Sequence, residues 1–193
     1  CISCPAGKYL DVVGSDALDD CIACAAGKYV DTTGVGSLAG CIDCPAGTYV
    51  MSTGSNAVGD CIDCAAGKYV STTGSADETD CIDCAAGKYV AVSGSDDASD
   101  CIDCAAGKYA PDVGNSLLSD CLPCPGGRYC TGADPSSTEE CIAGHRCPEG
   151  SVNPVPCSGG TFQADVGQSD CDDCFPGFYC NDDDRRIKYD CPQ

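Results

Sequence analysis

The stretch Cys61-Ile62-Asp63-Cys64-Ala65-Ala66-Gly67-Lys68-Tyr69-Val70 decides the fold. It returns unchanged at Cys81–Val90 and with one substitution at Cys101–Ala110, while looser copies begin at Cys1, Cys21, Cys41 and Cys121, all on a strict 20-residue spacing. Position two of the unit is apolar in every copy (Ile2, Ile22, Ile42, Ile62, Ile82, Ile102, Leu122), position seven is always Gly and position nine always Tyr. A Gly in every copy points to a positive φ or a close backbone approach. The Lys-Tyr-Val that follows reads as a short extended piece. A second Gly at position fourteen, from Gly14 to Gly114, lies among Ser and Thr, which is turn chemistry. Each copy therefore reads as a small hairpin closed by cysteines, with almost no helix. Units this short cannot bury a face alone, so they stack. The expected architecture is small, disulfide-rich β-hairpin and loop repeats stacked into an elongated rod, with each Tyr and Ile packed on its neighbours. Residues 1–120 hold six regular repeats, and residues 121–193 hold irregular repeats of the same style with extra disulfides.

Composition agrees with this pattern. There is no Trp, Phe occurs 3 times and Met once, against 24 Gly and 22 Cys. Too few bulky side chains are present for one large core to offset the entropy of ordering the chain. Such a cysteine density makes a disulfide scaffold in an oxidising, extracellular setting the expected class, and the even count allows full pairing. The net charge of −20 opposes non-specific binding to nucleic acid or anionic membranes and favours solubility. No stretch of 18 apolar residues is present, so no membrane span is expected in this segment. The chain opens on Cys1 already in repeat phase, as expected of a processed protein or a piece of a longer one.

Sequence alone does not fix connectivity, but the repeat restricts it. The simplest scheme joins the second cysteine of one unit to the first of the next: Cys4–Cys21, Cys24–Cys41, Cys44–Cys61, Cys64–Cys81, Cys84–Cys101 and Cys104–Cys121. The chain-entropy treatment values each such loop at about 3 kcal/mol.

The run C-P-x-G-x-Y, then C-x-x-C, resembles the ephrin-receptor-like cysteine-rich repeat, which is related in style to tumour-necrosis-factor-receptor cysteine-rich modules. Cys4-Pro5-Ala6-Gly7-Lys8-Tyr9 through Cys21 and Cys24 carries the likeness, as does Cys44-Pro45-Ala46-Gly47-Thr48-Tyr49 through Cys61 and Cys64. The resemblance implies the same pairing and irregular, elongated β-rich modules. Ala25, Ala65, Ala85 and Ala105 stand where the family usually has Pro, a departure that touches the turn rather than the pairing.

From Cys121 the rhythm breaks. Gly127-Arg128-Tyr129-Cys130 and Gly177-Phe178-Tyr179-Cys180 match each other and place a cysteine after the aromatic position. Continuing the pairing rule gives Cys124–Cys141, Cys157–Cys171 and Cys174–Cys191, with Cys130–Cys147 as an extra bridge. Cys1 and Cys180 are then left over. Two readings stay open for them: an intersubunit disulfide in a head-to-tail array, or a Cys1 whose partner lies upstream in a longer protein.

The spacing C-x2-C-x16-C-x2-C also falls within that of four-cysteine zinc sites. Seven equivalent units pair unevenly for zinc, however, and the extra cysteines lack zinc spacing, so disulfides are expected. Redox use of C-x-x-C needs a βαβ context, which is absent. His145, the one histidine, has no motif partner and reads as a loop residue. Asp96-Asp97, Asp172-Asp173 and Asp182-Asp183-Asp184 are hard donors of the kind calcium takes, without a calcium-loop spacing, so no cofactor is expected and solvated carboxylates are the plainer reading. Lys8, Lys28, Lys68, Lys88 and Lys108 are expected to form ladders with Asp63, Asp83 and Asp103. No Asn lies in an N-x-S/T sequon, whereas Thr32, Thr33, Ser52, Thr53, Thr72, Thr73 and Ser93 recur at loop tips as candidate O-glycosylation positions on a secreted glycoprotein.

These features give no support to an enzyme. They point to a structural subunit of an extracellular filament, appendage or surface coat, partnered head-to-tail by copies of itself. The alternatives are the stalk or ligand-binding ectodomain of a cell-surface receptor or adhesin, or a protist surface coat antigen.

Overall fold

A computed structural model describes residues 2–132, 134, 137–180 and 185–190. Among these residues the secondary structure is ten two-stranded sheets and six 3-10 helices of three residues each. Contacts divide the chain into two compact units that alternate along the sequence. The first comprises Cys1–Cys84, Val90–Ile102 and Gly114–Leu117, and the second Ala85–Tyr89, Asp103–Val113 and Leu118–Gln193.

In the first unit the repeat folds as its residues demand. Strand Lys68–Tyr69 pairs antiparallel with Ile82–Asp83, with Lys68 opposite Asp83 and Tyr69 opposite Ile82. Gly67 turns the chain into this hairpin at φ +88°. The aspartate before the next cysteine holds the loop's far end: the Asp80 carboxylate accepts from the backbone N–H groups of Ala76 and Asp77 and anchors the 3-10 turn Glu78–Asp80. Asp60 and Asp100 do the same in their copies, which accounts for an acidic residue ahead of most repeat cysteines.

Each hairpin then bonds to the next through a fixed backbone pattern. Gly47 N–H donates to Val70 O (2.8 Å), Val50 N–H to Ser75 O (3.1 Å), Gly74 N–H to Cys44 O (2.8 Å) and Cys64 N–H to Gly47 O (2.8 Å). The chain also reaches one repeat further. A Cβ built on Gly47 would lie 2.3 Å from the carbonyl oxygen of Gly94, and Gly7, Gly27 and Gly67 meet Gly54, Gly74 and Gly114 in the same way. Position seven thus needs glycine twice over, for its left-handed φ and for the carbonyl seated against it.

The core is a series of small clusters. Each joins one disulfide to the position-ten Val (Ala110 in one cluster) of its own hairpin and the Tyr of the preceding one, as with Cys64–Cys81, Val70 and Tyr49. Val30, Val50, Val70 and Val90 are 1–3% exposed. Stacking of the tyrosines was expected and is present, whereas the isoleucines at position two are not core. Ile42, Ile62, Ile82 and Ile102 are 47–53% exposed, because the inward place is filled by Val and by sulfur. Each Ile instead lies across the strand from a Tyr, a cross-strand pair that shields one side of the ring.

The second unit keeps the same bonding where the sequence looks irregular. Gly127 N–H donates to Cys147 O (2.8 Å), Cys130 N–H to Ser151 O (3.0 Å), Gly150 N–H to Cys124 O (2.8 Å) and Cys141 N–H to Gly127 O (2.9 Å). One step on, Gly144 N–H donates to Gln163 O and Gly167 N–H to Cys141 O. Cys130, Cys147 and Gln163 therefore occupy the place that Val holds in the regular repeats. All three are buried, Gln163 with its amide donating to Asp170 O at 3.0 Å.

Candidate functional site

The chemistry of the molecule is concentrated in its disulfides and in the loops they display. Six bridges join Cys4–Cys21, Cys24–Cys41, Cys44–Cys61, Cys64–Cys81, Cys84–Cys101 and Cys104–Cys121, each across 17 residues. Cys157–Cys171 is also formed, as the continued rule requires. Three other bridges differ from that rule. Cys124 pairs with Cys130 rather than Cys141, Cys141 with Cys147 rather than leaving Cys147 to Cys130, and Cys174 with Cys180 rather than Cys191.

The reason is the core position itself. A thiol at position ten points inward to where Val70 packs on the position-four sulfur, so Cys130, Cys147 and Cys180 meet the cysteine six residues earlier before any other. Where Leu, Val, Ala or Gln stands at position ten, the position-four cysteine is left for the next loop. Because Cys180 is bridged within its own chain, a Cys1–Cys180 intersubunit disulfide is ruled out in this arrangement. The ten bridges use 20 of the 22 cysteines; Cys1 and Cys191 lie outside the described residues.

Lysine–aspartate pairs run across three of the hairpins. Lys68 Nζ lies 2.7 Å from Asp83 Oδ1, Lys88 Nζ 2.7 Å from Asp103 Oδ1, and Lys28 pairs with Asp43. Lys8 and Lys108 instead face Ala23 and Pro123 in register. Asp63 lies opposite Thr48 and accepts from the Ser93 hydroxyl at 3.3 Å.

Thr32, Thr33, Ser52, Thr53, Thr72, Thr73 and Ser93 are all exposed in equivalent loops. Three of them are tied back, Ser52 Oγ to Ser55 Oγ (3.3 Å), Thr72 Oγ1 to Ser75 Oγ (3.4 Å) and Ser93 Oγ to Asp63 as above. The acidic loops are organised by backbone. Asp97 accepts from Ser99 N–H at 2.8 Å and Asp77 from Thr79 N–H at 2.9 Å; these bonds, seconded by the Ser99 and Thr79 hydroxyls, hold both carboxyls below the usual value. Asp182, Asp183 and Asp184 lie outside the described residues. Among the described residues no group of three or more His, Cys, Asp or Glu side chains is arranged to hold a metal ion. His145 sits on strand His145–Arg146 with its Nδ1 3.2 Å from Ala143 O. In the hairpin Arg128–Cys130 with Thr138–Glu140, Tyr129 donates to Glu139; that bond, followed by desolvation and the Glu139 charge, raises the phenol's pKa.

One cluster was not legible in the sequence. Phe162, Phe175 and Phe178, the chain's three phenylalanines, converge on Lys188, whose Nζ lies 5.8, 4.6 and 4.8 Å from their ring centres. Their separations carry no motif.

Hairpins of two or three residues per strand, stapled by disulfides and bonded repeat to repeat, define a class: cysteine-rich extracellular repeat modules. Residues 13–61 and 27–81 match the family described as tyrosine-protein kinase ephrin type A/B receptor-like. Over this N-terminal stretch the chain is similar to that cysteine-rich repeat family. No curated protein matches the chain. The disulfides and the repeat family together point to an extracellular or cell-surface location, and no helix among the described residues is long and apolar enough to cross a membrane.

Proposed function

We propose that the protein is a non-catalytic structural subunit of an extracellular filament, appendage or surface coat, built by head-to-tail association of its copies. The observation that carries this reading is the repeat-to-repeat bonding. The residues common to every regular copy (Gly at seven, Tyr at nine, the cysteines), with the apolar residue at ten, are those that seat one hairpin on the next. The exposed variable positions drift mainly among Ser, Thr, Ala, Gly and Asp, with apolar exceptions such as Val12, Leu38, Met51 and Val92. A scaffold role uses such uniformity, because any repeat can continue another. A contact of this head-to-tail kind that does not close yields a filament. The exposed Thr32, Thr33, Ser52, Thr53, Thr72, Thr73 and Ser93 would carry O-linked sugars on its surface.

Sedimentation and negative-stain electron microscopy of native, unreduced protein test the reading. Concentration-dependent linear polymers are the expected result; a monomer at all concentrations overturns it. Intact mass before and after O-deglycosylation tests the sugars, which are absent if the mass is that of the bare chain.

A further inference from the structure

We propose that Phe162, Phe175 and Phe178 form a surface cage for an alkylammonium cation, held by the chain's own Lys188 until an external cation displaces it. The three rings surround one ammonium at 4.6–5.8 Å, within the distance at which the negative face of an aromatic ring attracts a cation. All three Phe of the chain converge on this one charge. The cage is open to solvent, Phe175 being 57% and Phe178 36% exposed.

Its rim is acidic. Phe162 lies directly opposite Asp172 across one antiparallel pair, and Phe178 opposite Asp190 across another, so two of the three rings have an aspartate as cross-strand neighbour on the same face of the hairpin. Aromatic walls with acidic flanks select for a positive, poorly hydrated group. Lys188 reaches the rings from the residue before strand Tyr189–Asp190, and stacking of Tyr179 on Tyr189 (5.3 Å between centres) holds that strand in place.

The self-ligand sets the energetics. A tethered lysine has an effective concentration on the order of millimolar, so external cations bind the intact chain weakly and bind more tightly once Lys188 is removed. A quaternary headgroup and a lysine side chain of another protein share this chemistry.

The test titrates the native, disulfide-intact chain and its Lys188→Gln variant at constant ionic strength. The probes are tetramethylammonium chloride, blocked lysine (Nα-acetyl-lysine methylamide) and the neutral isostere tert-butanol, with Phe ring protons followed by NMR. Lys188→Gln is expected to bind at least one cation about tenfold more tightly than the parent, tert-butanol to leave the rings unmoved, and Phe175→Ala in the Lys188→Gln background to abolish the response. The tighter of the two cations identifies the source. Parent-like affinity in Lys188→Gln, or an equal response to tert-butanol, overturns the proposal. A second readout does not depend on the variant's folding: in the parent chain the Lys188 side-chain methylene protons, shifted upfield by the rings, return to free-lysine positions as cation is added. Their failure to move at saturating cation also overturns it.

Discussion

Substituting Gly47 by Ala isolates the contact that joins a repeat to the second one along. Gly47 has φ +83°, and a Cβ there would stand 2.3 Å from the Gly94 carbonyl oxygen. The left-handed conformation costs a residue with a Cβ about 1–2 kcal/mol. Moving a packed backbone carbonyl out of overlap adds about 1–3 kcal/mol, the usual cost of forcing extra volume into a filled site. The sum is about 2–5 kcal/mol. Gly14 is the control, since its φ is +95° but nothing lies within 4 Å of the added Cβ, so Gly14→Ala bears only the first cost. A repeat array need not unfold in one step, so native-state hydrogen exchange is the suitable assay. It would be read at the Gly47 amide, bonded to Val70 O, and the Gly94 amide, bonded to Cys64 O. If opening is easier by the full sum, the Gly94 amide exchanges roughly 30- to 4,000-fold faster in Gly47→Ala. In the control, the amides around Gly14 accelerate about 5- to 30-fold and those of the third to fifth repeats stay unchanged. Equal local effects from the two substitutions would refute the reasoning, because the carbonyl of Gly94 would then not be what fixes position seven.

Removing the Cys64–Cys81 bridge by a double substitution to Ser should destabilise its hairpin by about 3 kcal/mol, measured as accelerated exchange confined to that repeat and its neighbours. Lys68→Met should cost no more than about 0.5 kcal/mol and should lose even that in molar salt, since the pair with Asp83 is about one-third to two-fifths exposed on its two sides; a salt-independent loss would contradict this. The lowered pKa values of Asp77 and Asp97 set the sign of a pH effect. A carboxyl whose folded value lies below its unfolded one contributes stability that is present above the unfolded value of 3.8 and is lost as pH falls through the lowered folded value. The Thr79 and Ser99 amide resonances should therefore move toward free-loop positions only below the ordinary carboxylate range, and a midpoint above 3.8 would contradict the bonding described.

Much of the fold was legible because the repeat exposes its own constraints. A Gly that never varies marked the turn, and the 20-residue period allowed one economical pairing of Cys4 through Cys121. The position-two Ile misled, because an apolar residue in every copy looks like core, yet Val70 and the Cys64–Cys81 sulfurs already fill the inside and leave Ile82 half outside. The irregular end misled for a related reason. C-x-x-G-x-x-C occurs at Cys124–Cys130, Cys141–Cys147 and Cys174–Cys180. Its meaning becomes plain only once position ten is known to point at position four. The salt bridges fell where strand register put them, so Lys28 found Asp43 while Asp63 faced Thr48. The Phe–Lys188 cluster could not be read at all, since its members come from two hairpins and the loop between Cys174 and Gly177.

Proteolytic disulfide mapping of unreduced native protein tests the central claim most directly: the residue at position ten decides which cysteine its position-four neighbour takes. Trypsin cuts after Arg128 and after Arg146, which separates Cys124 from Cys130 and Cys141 from Cys147. The account predicts Cys124 linked to Cys130, Cys141 to Cys147 and Cys174 to Cys180, alongside Cys64 linked to Cys81. Recovery of Cys124 linked to Cys141, or of Cys130 linked to Cys147, would contradict it.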